Sequence, residues 1–352
     1  SFILIQLMAG RANAFNFIFR KAYYENGQFI TSTYYRTELP EWAKAYNKEL
    51  KKNKELQKVG KDVGLYPLCG HITTDMAIAA LKGERLGKGK VTDMLCVSYS
   101  QTDVIGHKWS TRGEHTDEAY LELDKDLARL LKALDNQVGE GNYLLFLTAD
   151  HGAAHNYQFM IDHQMGGGAW KIYEEMDGGK IEAYLKEKLG PTVDMSILNG
   201  INAYRVFLNH GKIKALGLDL AKVKEVLIDY LTQMPHVQFV MDFEKVNTWS
   251  VPDVLRSRAL LGYHPQRSGD LVLVLEAGWY DFWASSSPVG TTHGAWNPYD
   301  AHIPLLFYGW KVEHGSTSRE VHITDIAPTI TQMLHIQQPN ACIGEAIGEV
   351  VR

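Results

Sequence analysis

The chain has 352 residues, enough for one large or two modest domains around a sizeable core, and its 45% hydrophobic and 22% charged content is that of an ordinary globular protein. A net charge of −5 with a pI near 6.3 gives a nucleic-acid partner no electrostatic footing. No apolar run reaches the ~18 residues of a membrane span, and the three cysteines, Cys69, Cys96 and Cys342, form neither a CxxC pair nor a disulfide framework.

Ser1–Met8 opens on an apolar run without an initiating Met or a preceding basic segment, as if the chain were entered part-way through a domain. Asn26-Gly27 is a turn signal before a β-branched and aromatic strand over Phe29–Tyr35, and Pro40 sits at the first position of a helix through Leu50. The Lys-rich run Lys51–Lys61 reads as a solvated helix face. Thr73-Thr74-Asp75 reads as the start of a helix to about Arg85, followed by a Gly/Lys loop. Met94–Tyr99 is a buried strand in which Cys96 is a small core residue, and it runs into Ser100–His107. The next helix carries Leu123, Leu127, Leu130, Leu131 and Leu134 on one stripe. Tyr143–Thr148 is a second strand apolar on both faces, ending in Asp150-His151-Gly152.

Helix, strand, helix, strand with short connections predicts an α/β fold: a doubly wound, mostly parallel central sheet with helices on both faces. Ligands bind such sheets at the carboxyl ends of the strands. Both strands end there in an Asp/His pair, Asp103 with His107 and Asp150 with His151. Residues 157–289 change character and read as an inserted smaller subdomain. There Gly166-Gly167-Gly168 is flexible, Asp219 caps a helix with Leu220, Val223, Leu227 and Leu231 on one face, and Leu271–Leu275 is a strand. The chain returns through Gly290-Thr291-Thr292-His293-Gly294, a strand over Ile303–Tyr308, and a helix from Thr324 or Asp325 through Leu334.

Asp and His are the oxygen and nitrogen ligands of a catalytic zinc, which takes three from protein and keeps one position open. Asp103 and His107 with one distant histidine make such a set, and His293, in a small-residue loop before a strand, is the best third among 14 histidines. Asp150 and His151 supply part of a second site. Two metals ~3.5–4 Å apart can clamp the attacking and leaving oxygens of a displacement at phosphorus. Singly, each residue has a blander reading as a turn residue or a hydrogen-bonded histidine; as a set at one sheet edge they favour metal.

The segments SYSQTDVIGH, LTADHGAAHN and GTTHGAWNPYDAHIPLLFYG resemble the metal-binding segments of the alkaline phosphatase superfamily. The resemblance is nearest to the phosphate-irrepressible periplasmic alkaline phosphatases, within the type I phosphodiesterase/nucleotide pyrophosphatase-like group. FITSTYYRTELPEWAKAYN, EAYLELDKDLARLLKALD and the run from VHITDIAPTI to ACIGEAI extend it over nearly the whole chain. It implies a monomeric two-zinc enzyme in which Asp103, His107 and His293 bind one zinc, and Asp150 and His151 the other. The expected substrates are small-molecule phosphate esters, hydrolysed through a phospho-threonine or phospho-serine, in the periplasm or outside the cell.

The departures are specific. In the family, the remaining Asp ligand and the Thr or Ser nucleophile lie upstream of the position that Ser1 occupies. A Lys and an Arg that contact phosphate precede the segment matching Met8-Ala9-Gly10, and Ser1–Leu7 offers neither. Thr73 and Thr74 resemble a later helix start, not that nucleophile. On this reading the N-terminal part of one catalytic domain is incomplete. The rivals are phosphodiester or nucleotide pyrophosphate hydrolysis at the same site, and a non-catalytic relative that binds metal. Carboxylate and imidazole suit several divalent ions, so ligand type alone does not select zinc over manganese.

Overall fold

The computed structural model describes residues 4–5, 15–16, 21–31, 38–281 and 289–351. It divides into two units: residues 1–151 with 303–352, and residues 152–302. Unit one begins with β1 (Leu4–Ile5), β2 (Phe15–Asn16), β3 (Lys21–Glu25) and β4 (Gln28–Thr31), the last three forming an antiparallel meander. Its hairpin turns at Asn26 and Gly27, φ 49° and 82°, the paired positive φ that a two-residue hairpin turn requires. The strand expected over Phe29–Tyr35 is described as far as Thr31; residues 32–37 lie outside the described set, as does most of the opening apolar run.

Helix α1 (Glu41–Leu50) follows Pro40 and is stitched to β4 by Asn47. The buried Asn47 amide accepts the Phe29 N–H and donates to the Phe29 carbonyl, both at 2.8 Å. Helix α2 (Lys54–Val59) is capped by Asn53 and buries only Leu56, leaving its lysines in solvent. Helix α3 (Leu68–Gly83) begins five residues before the expected start. Pro67 precedes its first residue, and Thr73 and Thr74 are interior positions whose hydroxyls donate back to the Cys69 and Gly70 carbonyls, at 2.7 and 3.0 Å. Hydroxyls that return to the carbonyl four residues earlier do not cap.

Strand β5 (Cys96–Val97) pairs in parallel with β1 and leads into α4 (Gln101–Trp109). Helix α5 (Glu114–Gln137) buries Leu123, Leu130 and Leu134, and β6 (Leu144–Thr148) follows. These elements share a core that includes Ile72, Met76, Leu81, Leu95, Tyr99, Leu130 and Leu145.

Unit two runs through α6 (Tyr157–Asp162), β7 (Gly168–Trp170), α7 (Ile172–Glu175), α8 (Gly178–Leu189), β8 (Leu198–Asn202), β9 (Arg205–Leu208), α9 (His210–Ala215), α10 (Leu220–Thr232), β10 (Val237–Asp242), α11 (Asp253–Gly262), β11 (Leu271–Leu275), β12 (Trp279–Asp281) and α12 (Pro298–Ala301). An antiparallel sheet in the order β10-β11-β9-β8 carries its core, and all five residues of β11 are buried. Asp219 accepts the Ala221 N–H at the start of α10, whose Val223, Leu227 and Leu231 are buried. Gly166-Gly167-Gly168 is not simply a flexible run. Gly167 has φ +138°, Gly168 opens β7, and the Gly168 N–H donates to the Gly278 carbonyl at 3.1 Å. A Cβ on Gly168 would lie 2.7 Å from the Trp279 ring, so the triplet serves close packing.

The chain re-enters unit one as β13 (Leu305–Gly309), antiparallel to β6, and α13 (Ile326–Leu334). Leu306 and Tyr308 face solvent, and the other face of this strand is half-buried. The fold is of α/β class; its parallel β1–β5 ladder is short among the described residues, and an antiparallel strand on a doubly wound sheet is a common edge arrangement. No helix among the described residues is long and apolar enough to cross a membrane.

Candidate metal centre

Asp103 and His107 stand on α4, four residues apart and therefore on one helix face. The segment Ser100–His107, into which the expected strand Met94–Tyr99 runs, was given no element of its own from the sequence; it forms this helix, which begins right after Ser100. Asp103 lies in the first turn, where the helix dipole favours a carboxylate, and His107 in the last. Asp103 Oδ1 is 3.4 Å from His107 Nε2. Asp150 and His151 follow β6, with Asp150 Oδ1 3.6 Å from His151 Nε2. Ligand atoms of Asp103 and His151 lie within 4.8 Å of each other, so unit one brings both expected pairs to one place.

The charge balance at that place is distinctive. Burial pushes the Asp103 carboxyl above its ordinary pKa and Asp150 adds to the push, while His107 and His151 oppose it without prevailing. The Asp103 side chain is only 10% exposed. A carboxylate in such a setting gains from a nearby cation. Two carboxylates and two imidazoles are hard and borderline donors that fit a divalent metal, and this is the test the residues pass.

His293 belongs to unit two. It is half-buried on a turn with Gly294 at φ +95°, immediately after Thr291 and Thr292. That turn is tied to the segment that continues the chain beyond His151: the Ala154 N–H donates to the Thr292 carbonyl at 3.1 Å, and Thr291 Oγ1 donates to the Ala154 carbonyl at 2.6 Å.

Tyr120 on α5, which the sequence did not single out, feels the charge of Asp103. Burial of its hydroxyl, then the Asp103 charge, hold its pKa above the usual phenol value, although the residue is 58% exposed. Thr73 and Thr74 are buried inside α3.

The profile of the type I phosphodiesterase / nucleotide pyrophosphatase family matches residues 9–296. The chain belongs to that family. A protein of Myroides odoratus described as a calcium-transporting ATPase is 37% identical over 93% of this chain and 67% of its own length. Alkaline phosphatase PafA of Elizabethkingia meningoseptica is 34% identical over 92% of this chain and 66% of its own length. The crystal structure of wild-type PafA matches with a TM-score of 0.87 at 32% identity, covering 94% of this chain and 71% of that one. The chain thus spans about two thirds of the length of these relatives. The family includes proteins named as phosphatases, and the fold and the sequence segments agree with that membership.

Proposed function

We propose that the protein is a phosphate monoester hydrolase of the alkaline phosphatase type that works with two zinc ions. The observation that carries this reading is the meeting of Asp103, His107, Asp150 and His151 in unit one, a set rich in negative charge and metal donors. Asp103, His107 and His293 would hold one ion, and Asp150 and His151 part of the other. When bound, such ions polarise the phosphoryl group and offset charge on the attacking and leaving oxygens. The chain's own part is orientation: α4 presents Asp103 and His107 from one face, and the end of β6 presents Asp150 and His151.

In this reading the phosphoryl group passes through a covalent phospho-threonine or phospho-serine on a residue that precedes Ser1 in the full-length protein. The substrates are small-molecule phosphate esters, the protein is a monomer, and it acts in the periplasm or outside the cell. Residues 157–289 form an insertion within one catalytic domain.

The test is metal content and turnover of the full-length protein purified without chelators. Two zinc ions per chain and zinc-dependent hydrolysis of an aryl phosphate are expected. No bound metal after zinc is added back, with no hydrolysis, overturns the reading; metal without hydrolysis marks a non-catalytic relative. A second reading, phosphodiester or nucleotide pyrophosphate hydrolysis at the same site, is favoured by the description of the matching family. An aryl diester cleaved faster than the matching monoester would select it.

A further inference from the structure

We propose that Asp300 is the positioning residue of His293. The role of His293 as a ligand rests on the reading above; the clamp around it rests on the hydrogen bonds of unit two alone. Two stretches, 152–156 and 290–300, are laced together there. The Gly152 N–H donates to the Asp300 carbonyl at 2.8 Å, the Ala154 N–H to the Thr292 carbonyl at 3.1 Å, and Asn156 Nδ2 to the Gly290 carbonyl at 2.6 Å. The backbones touch: a Cβ on Gly152 would sit 1.9 Å from the Tyr299 carbonyl oxygen, so only glycine is accommodated.

The lacing holds the chain up to Thr292, one residue before His293. On the far side the turn continues through Gly294, whose positive φ offers no restraint of its own. Asp300 supplies the missing restraint: its Oδ2 accepts the N–H of Ala295, two residues beyond His293, at 2.5 Å. Asp300 is 6% exposed, and its backbone carbonyl is the acceptor for Gly152, next in the chain after His151. One residue therefore anchors both the turn that carries His293 and the segment that leaves His151. An imidazole held on both sides of its own residue loses less freedom when it ligates, which is how an outer residue raises metal affinity.

The experiment compares Asp300→Ala and Asp300→Asn with the wild-type full-length protein. Zinc affinity is measured by competition with a chromophoric chelator, and exchange protection of the Ala295 amide is measured by NMR without zinc. Asn keeps an oxygen acceptor for the Ala295 N–H and Ala does not. Asp300→Ala is expected to weaken zinc binding roughly 10–100-fold, the range for loss of an outer partner, and to expose the Ala295 amide. Asp300→Asn is expected to restore both nearly to wild type.

Unchanged zinc affinity in Asp300→Ala overturns the proposal, even if its melting temperature falls, and so does an Asn variant as weak as Ala. A wild-type protein that binds no zinc refutes the functional reading instead. In that case unchanged Ala295 protection in Asp300→Ala refutes the clamp, and lost protection upholds it.

Discussion

In unit two, Asp242, Glu244 and Asp270 gather around the ammonium of Lys224, at 3.1, 2.7 and 3.9 Å. In unit one, Asp103 stands beside the His107 imidazole and Asp150 beside that of His151. Both places bury negative charge, but they balance it differently. The Lys224 side chain is 5% exposed, and burial by itself would lower its pKa; hydrogen bonds to Glu244 and Asp242 outweigh that and hold it above its ordinary value. Glu244 is lowered in return, chiefly by its hydrogen bond to Lys224. This cluster contains its own permanent cation and is complete without a ligand. At Asp103 the balance runs the other way, with burial winning over both histidines. The contrast separates a cluster in which hydrogen bonds to a lysine outweigh burial from one in which burial outweighs two imidazoles, although composition alone would rank them alike.

The sharpest break in that comparison is Asp103→Asn. It should cost more than about 100-fold in hydrolysis, beyond the penalty for losing an outer partner, and remove one zinc per chain with little change in the melting temperature of the zinc-free protein. Kinetics, elemental analysis and calorimetry check it.

Lys224→Met should do the reverse. With the ammonium gone, buried Asp242 loses its cation, and unfolding in denaturant should become easier by about 3–5 kcal/mol while zinc affinity stays within twofold. The pH dependence follows from the same pair. A raised lysine pKa contributes stability that is full below the unfolded value near 10.5 and is lost as pH climbs through the folded value. A lowered Glu244 pKa contributes stability that is full above 4.5 and is lost as pH falls through its folded value. Stability against pH should therefore drop at both ends, and Lys224→Met should flatten both limbs.

The smallest effect is expected at Ser110, which ends α4 at φ 86°, ψ 172°, a conformation suited to glycine. Ser110→Gly should stabilise the protein by about 1 kcal/mol in a denaturant titration and leave zinc affinity unchanged, because relief of strain exceeds the added freedom of the unfolded chain.

The elements with strong periodicity were legible in advance. The leucine stripe of α5, the two-sided apolar run of β6, the five buried residues of β11 and the Asp219 cap all occur where the pattern places them. The start of α3 was not, because Thr-Thr-Asp carries a capping signature whose hydroxyls turn inward to the preceding helical turn. Nor was α4: a nine-residue helix with Gly106 in it has a weak apolar stripe. Asp103, His107, Asp150 and His151 were found from residue type and position, since a carboxylate beside an imidazole at a strand end is a chemical signal. Asp300 was not, because its place depends on a hydrogen bond to the Ala295 N–H that side-chain chemistry alone does not signal.

The lacing of 152–156 to 290–300 also sets a timetable. About 140 residues separate His151 from His293, and the acceptor for the Ala154 N–H does not exist until that whole stretch has been made. At roughly 5–20 residues per second of synthesis, the second half of the clasp emerges roughly 7–30 seconds after the first. During that interval the segment after His151 has no hydrogen-bonding partner at Ala154, and the nascent chain must wait, unzipped, for its own far end.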